Sequence, residues 1–138
     1  MAVISYFSDE IKFSLSDEEA ISEWLTSVAL KEEQFLSDLN VIFMSDDALL
    51  RINKKFLNHD YYTDVITFPG YGEVLSGEIY ISIDRVKENA EQLKLAFENE
   101  LHRVMVHGLL HILGYNDKLE SEKAEMRAKE DFYLDLQK

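Results

Sequence analysis

The chain has 138 residues, enough for one domain with a sizeable core. Hydrophobic residues make up 46% of it, which argues against disorder, yet no apolar run approaches the roughly 18 residues of a membrane span. The formal charge of −13 makes a poor non-specific binder of nucleic acid, and the absence of cysteine excludes disulfides and zinc–thiolate centres.

Residues 3–7 and 11–15 are short and apolar-rich, and both read as strands. The first residues lack the basic region and apolar core of a secretory signal, so a cytoplasmic protein is expected, in keeping with the missing cysteines. Ser16-Asp17-Glu18-Glu19 reads as a capping box opening a helix that runs to about residue 31. Ile21, Trp24, Leu25 and Val28 recur along it at helical spacing, which assigns Trp24 to the core. Residues 38–44 read as a buried strand. Ser45, Asp46 and Asp47 then start a helix carrying Leu49, Leu50, Ile52 and Phe56. A polar loop over 57–63 leads to a strand at 65–68, stopped by Pro69 and Gly70. In residues 78–83, Ile79, Ile81 and Ile83 alternate with Tyr80 and Ser82, the mark of a strand. Helical spacing then persists from about 84 to 113, through Val86, Ala90, Leu93, Phe97, Leu101, Val104, Gly108 and Ile112. That is long for a globular helix, so a break is expected near residues 95–99. Leu119, Met126 and Tyr133 mark a last helix. Together these elements predict a single α+β domain over residues 1–138. It has a small mixed, mostly parallel sheet of about four strands, packed with about five helices.

The charge is uneven. Residues 1–50 hold 2 basic and 11 acidic residues, a net −9, and the stretches 51–116 and 117–138 carry −2 each. Binding RNA therefore needs a local basic face. Arg51, Lys54 and Lys55 offer one, with no acid between residues 48 and 59. A solvated helix surface accounts for the same three charges equally well.

The most informative segment runs from His107 to Asp117 and holds two of the four histidines. Positions i and i+4 of a helix share a face, about 6 Å apart along the axis, so His107 and His111 can reach one metal ion. Gly114 breaks the helix, and Asp117 returns a carboxylate to the same place. Two imidazoles and one ligand beyond a turn describe an open zinc site, its fourth position left for water. Two histidines that merely share a helix face are the competing explanation. The spacing is also similar to the extended zinc motif of metzincin proteases. Those proteases place a Glu after the first His as general base, where this chain has Gly108.

The segment resembles the signature H-G-x-L-H-L-x-G-Y-D-H of the YbeY family of bacterial endoribonucleases. It matches at His107, Gly108, Leu110, His111, Gly114 and Tyr115, with Ile112 near-equivalent. Thr63-Asp64-Val65-Ile66-Thr67-Phe68-Pro69 resembles the family's T-D-V-L-S-F-P, and Gly77, Glu78 and Ile79 its G-D-I. Met126 and Glu130 fall where the family's last helix carries Met and Glu. The resemblance implies a zinc-dependent endoribonuclease with one ion, held by His107, His111 and Asp117. It implies single-stranded ribosomal RNA as substrate, and the ribosome or its assembly factors as partners. Three positions depart from the pattern. Asp117 stands for the third His and makes the site anionic and harder. Asn116 stands for an Asp. Leu57 stands for an Arg to which the family gives a phosphate-holding role, leaving Lys54, Lys55 or His59 to substitute.

Asp64 and Glu78 are the candidate catalytic carboxylates. Asp64 is also placed to orient a metal-bound His, and the bland reading of each is a carboxylate at a strand end. His59 reads as substrate-binding or simply exposed. His102 points about 140° away from His107 on the helical wheel and is no ligand. Tyr61 and Tyr62 either stack on bases or pack over the loop. Two other functions stay open: a metalloprotease using Asp64 or Glu78 as base, and a non-enzymatic ribosome-assembly factor with a structural metal.

Overall fold

Apolar side chains on alternating positions build the sheet in the computed structural model, which describes residues 2–72 and 74–137. The strands are β1 (Val3–Asp9), β2 (Leu36–Met44), β3 (Val65–Pro69) and β4 (Leu75–Ser82). The helices are α1 (Glu18–Lys31), α2 (Asp46–Leu57), α3 (Ile83–Leu93), α4 (Phe97–Ile112) and α5 (Glu120–Leu136). The sheet runs β1-β2-β4-β3. The first two pairings are parallel, and β3 lies antiparallel on the edge beside β4. The expected α+β class, mostly parallel four-stranded sheet and five helices are all present.

The two faces of the sheet differ. Leu39, Val41 and Phe43 of β2, with Ile79 and Ile81 of β4, point into the larger core. There they meet α1 through Leu25 and Val28, α4 through Leu101, Met105 and Leu109, and α5 through Met126 and Tyr133. Ile42, Ile66, Phe68 and Tyr80 point the other way, onto Ala48, Leu49 and Ile52 of α2. Helix α4 sits very close to the sheet. A Cβ on Gly108 would lie 2.9 Å from Cγ2 of Ile79, and one on Gly77 would lie 2.8 Å from Cδ1 of Ile112. Glycine on both sides of this contact brings the histidine-bearing helix down onto β3 and β4.

Two local expectations are corrected. Residues 11–15 form no strand. Glu10 adopts φ 57° and turns the chain, and the Ser8 hydroxyl donates to the Phe13 carbonyl at 2.6 Å. Phe13 then packs edge-on against Phe43, with centroids 4.9 Å apart, and Leu15 is buried, so the segment's apolar residues plug the core instead of pairing. The capping box at Ser16 does not form. Asp17 is the N-cap, in the left-handed region at φ 60°, with no side-chain cap bond. The break in the long helical stretch falls at residues 94–96, overlapping the expected window, where Lys94 closes α3 at φ 57°. Ser45 caps α2 as expected, accepting from the Ala48 N–H at 3.2 Å. Leu119 lies at the N-cap of α5 and is exposed, whereas Met126 and Tyr133 are buried.

Candidate metal centre

Helix α4 ends in a turn that shapes the site. Gly114 takes φ 114°, its N–H donates to the His111 carbonyl, and the Tyr115 N–H donates to that of Leu110. This paired closure reverses the chain, and a left-handed residue there favours glycine. Asp117 is thereby brought back over the helix. Its Oδ2 lies 3.4 Å from Nε2 of His107 and 3.3 Å from Nε2 of His111. The two Nε2 atoms are 3.0 Å apart, and the ligand atoms of the three residues all lie within 4.8 Å of one another.

The opposite nitrogens decide what these atoms can do. Nδ1 of His111 lies 2.9 Å from the Tyr115 carbonyl oxygen, which only accepts, so this nitrogen carries the proton. Nδ1 of His107 lies 2.7 Å from Oε2 of Glu130, a buried carboxylate whose other oxygen is paired with Arg103 at 2.9 Å. Both rings therefore use Nδ1 for these partners and turn Nε2 toward the Asp117 carboxylate. The two Nε2 atoms and the carboxylate oxygen thus converge on one point, an arrangement that a cation suits. Two imidazole nitrogens and a carboxylate oxygen are a fitting donor set for zinc. Burial opposes a charge on His107. The hydrogen bond and charge of Glu130, with Asp117 and Asp64, outweigh it and raise the pKa. The site attracts positive charge, whether proton or metal.

The group opens into a cleft of about 440 Å³ walled by α2, the loop after it and β3, with Leu57, His59, Tyr61 and Asp64 on its lining. Asp64 is raised above the ordinary carboxylate range, chiefly by burial, although His107 pulls it back. His59 stacks on Tyr61, with centroids 5.1 Å apart, and its Nδ1 lies 2.9 Å from the Tyr61 hydroxyl. Buried Asn53 holds this loop, donating from Nδ2 to the Tyr61 carbonyl and accepting the His59 N–H.

Other candidates lie elsewhere. Glu78 is turned away: its neighbours Gly77 and Ile79 face α4, so Glu78 projects toward the α2 side, where it accepts from the Tyr80 hydroxyl. Arg51 pairs with Glu10, Lys54 with Asp60 at 3.2 Å, and Lys55 sits over the Phe56 ring; none of the three lines the cleft. Tyr62 donates to Asp47 and lies under Arg85, apart from the cleft. His102 shares a hydrogen bond with Gln137 beside Trp24 and stands outside the ligand group, as expected. Trp24 is in the core, donating to the Tyr133 carbonyl. The groups bonded to the two Nδ1 atoms are Glu130 and the Tyr115 carbonyl. Sequence reasoning matched Glu130 to the Glu of the family's last helix but gave it no role. Its signal was an acid four residues after Met126, on the stripe that Met126 and Tyr133 bury.

Fold and cleft together define a small α+β protein with a two-histidine, one-carboxylate group able to hold a metal ion. A family model described as endoribonuclease YbeY matches residues 4–137. Proteins named endoribonuclease YbeY from Cytophaga hutchinsonii and Flavobacterium psychrophilum are 49% and 47% identical. The first match covers 98% of this chain and 96% of the relative, the second 94% of each. A Thermotoga maritima protein known from a solution structure is 31% identical, with a TM-score of 0.70 over 98% of this chain and 89% of its own. The chain belongs to the YbeY family.

Proposed function

We propose that the protein is a metal-dependent endoribonuclease of single-stranded RNA, acting in ribosomal RNA maturation, with residues 1–138 as one domain carrying the activity. The name shared by its relatives supports RNA as the substrate. The observation that carries the reading is the convergence of Nε2 of His107, Nε2 of His111 and Oδ2 of Asp117 at an open cleft.

These three atoms would hold one zinc ion, which supplies Lewis acidity at a phosphoryl oxygen and an acidified water. The bond broken is an RNA phosphodiester, by hydrolysis or by transesterification to the 2′-hydroxyl. Asp64, lifted by burial, takes and returns a proton at the cleft wall. His59 meets the phosphate where Leu57 offers no charge, and Tyr61 gives a ring on which a base stacks. Arg51, Lys54 and Lys55 lie on α2 outside the cleft and steer the strand from a distance. The RNA is met in the cytoplasm, in the ribosome or with its assembly factors. No described helix is long and apolar enough to cross a membrane.

The test is incubation of purified protein with a single-stranded RNA oligonucleotide. Cleavage is expected, lost with a chelator and restored by zinc. Intact RNA with one ion per chain bound overturns the reading. A non-enzymatic assembly factor is the second reading. It is favoured by a cleft whose described lining holds no Lys or Arg. It expects His111→Ala to support ribosome assembly as the wild type does. For peptide hydrolysis, packing of Gly108 against Ile79 closes the place of a base after His107 and Glu78 is turned away, which leaves Asp64 as the one of the two expected bases at the cleft.

A further inference from the structure

Glu32 occupies an unfavourable place for a carboxylate. It is the C-cap of α1, facing the negative end of that helix, and its side chain is only 9% exposed. It is held there by donors from the other end of the chain: the hydroxyls of Tyr115 and Tyr133, and Nζ of Lys129 at 3.1 Å. Two residues on, Nε2 of Gln34 donates to the Leu113 carbonyl at 3.0 Å. Glu32 and Gln34 thus both grip the turn after α4, which supplies Asp117 and whose Tyr115 carbonyl receives Nδ1–H of His111. That turn pivots on Gly114, and the Asp117 side chain is 38% exposed, so burial does not fix it.

We infer that the turn between α1 and β2 is the anchor of the metal-ligand turn, with Glu32 and Gln34 as positioning residues that hold Tyr115, and through it His111 and Asp117, in ligating geometry. The inference rests on the metal reading above. It assigns to a segment some 80 residues upstream in sequence a share of the metal affinity.

The test compares the full chain with Glu32→Gln, Tyr115→Phe and the double variant. Zinc affinity is read by competition with a chromophoric chelator, and the His111 tautomer by nitrogen–proton NMR of the metal-free protein. Each single variant is expected to weaken zinc binding on the order of tenfold, the effect of removing a group that orients a ligand. The double variant is expected to lose little more than one single, since both cut one link. His111 is expected to lose part of its Nδ1–H form in each. Unchanged zinc affinity and tautomer, with only a lower melting temperature, overturn the inference and leave Glu32 as structural glue. If Glu32→Gln does not fold, Tyr115→Phe decides, because it removes a single hydroxyl. If the wild type takes up no zinc, the metal reading fails, and the tautomer in the metal-free variants still decides the anchor.

Discussion

Glu130 and Gly108 show what single residues contribute beyond the ligands. Glu130 holds the His107 ring by Nδ1 and is itself held by Arg103. Glu130→Gln is expected to weaken zinc binding on the order of tenfold, read by calorimetric titration, because the acceptor loses its charge. Gly108→Ala is expected to cost about 1–3 kcal/mol in urea denaturation, since its Cβ would meet Ile79 and Thr67 at 2.9 and 3.2 Å. The sequence showed Gly108 as a missing base on the buried stripe of the helix and as part of the family signature, and the structure adds its role in close packing of α4 on the sheet. His107, His111 and Asp117 were legible because two lie one helical turn apart and the third follows a glycine stop. Glu130 was not, because it reaches His107 from another helix, and local spacing says nothing about that distance.

At the level of elements, α1 is tied to the last helix from its middle, through Trp24, and from its C-cap, through Glu32. Trp24 donates to the Tyr133 carbonyl at 2.9 Å, so Trp24→Phe is expected to destabilise by about 1–3 kcal/mol, the cost of a buried carbonyl left unpaired. Burial works to raise the pKa of Glu32, but hydrogen bonds from Tyr115, Tyr133 and Lys129 win and lower it below 4.5. The unfolded chain then binds the proton more readily. Glu32 stabilises the fold fully above pH 4.5, and that contribution is lost as pH falls through the lowered value. Urea midpoints of wild type and Glu32→Gln are expected to converge on acidification through that range; a constant gap contradicts this. Period-based reading found α1, β2, β4 and the helix break, where apolar spacing is set by burial on one face. It failed at residues 11–15, since apolar residues that plug a core and those of a strand have the same composition. It failed at Ser16, since a left-handed Asp17 moved the helix start.

For the whole molecule, the acidic surface and the described lining of the cleft limit how RNA is held. With no Lys or Arg on the described lining, no more than about one phosphate is neutralised there, and log(kcat/KM) is expected to fall with log[salt] at a slope no steeper than about −0.7. A slope of about −3 would place Arg51, Lys54 and Lys55 on the phosphates. All of this depends on the convergence of two histidines and Asp117 on one ion. Metal content per chain of the purified protein, measured by mass spectrometry beside Asp117→Ala, tests that most directly. One zinc in the wild type and a large loss in the variant is the expected result, and equal zinc in both would contradict the three-residue site.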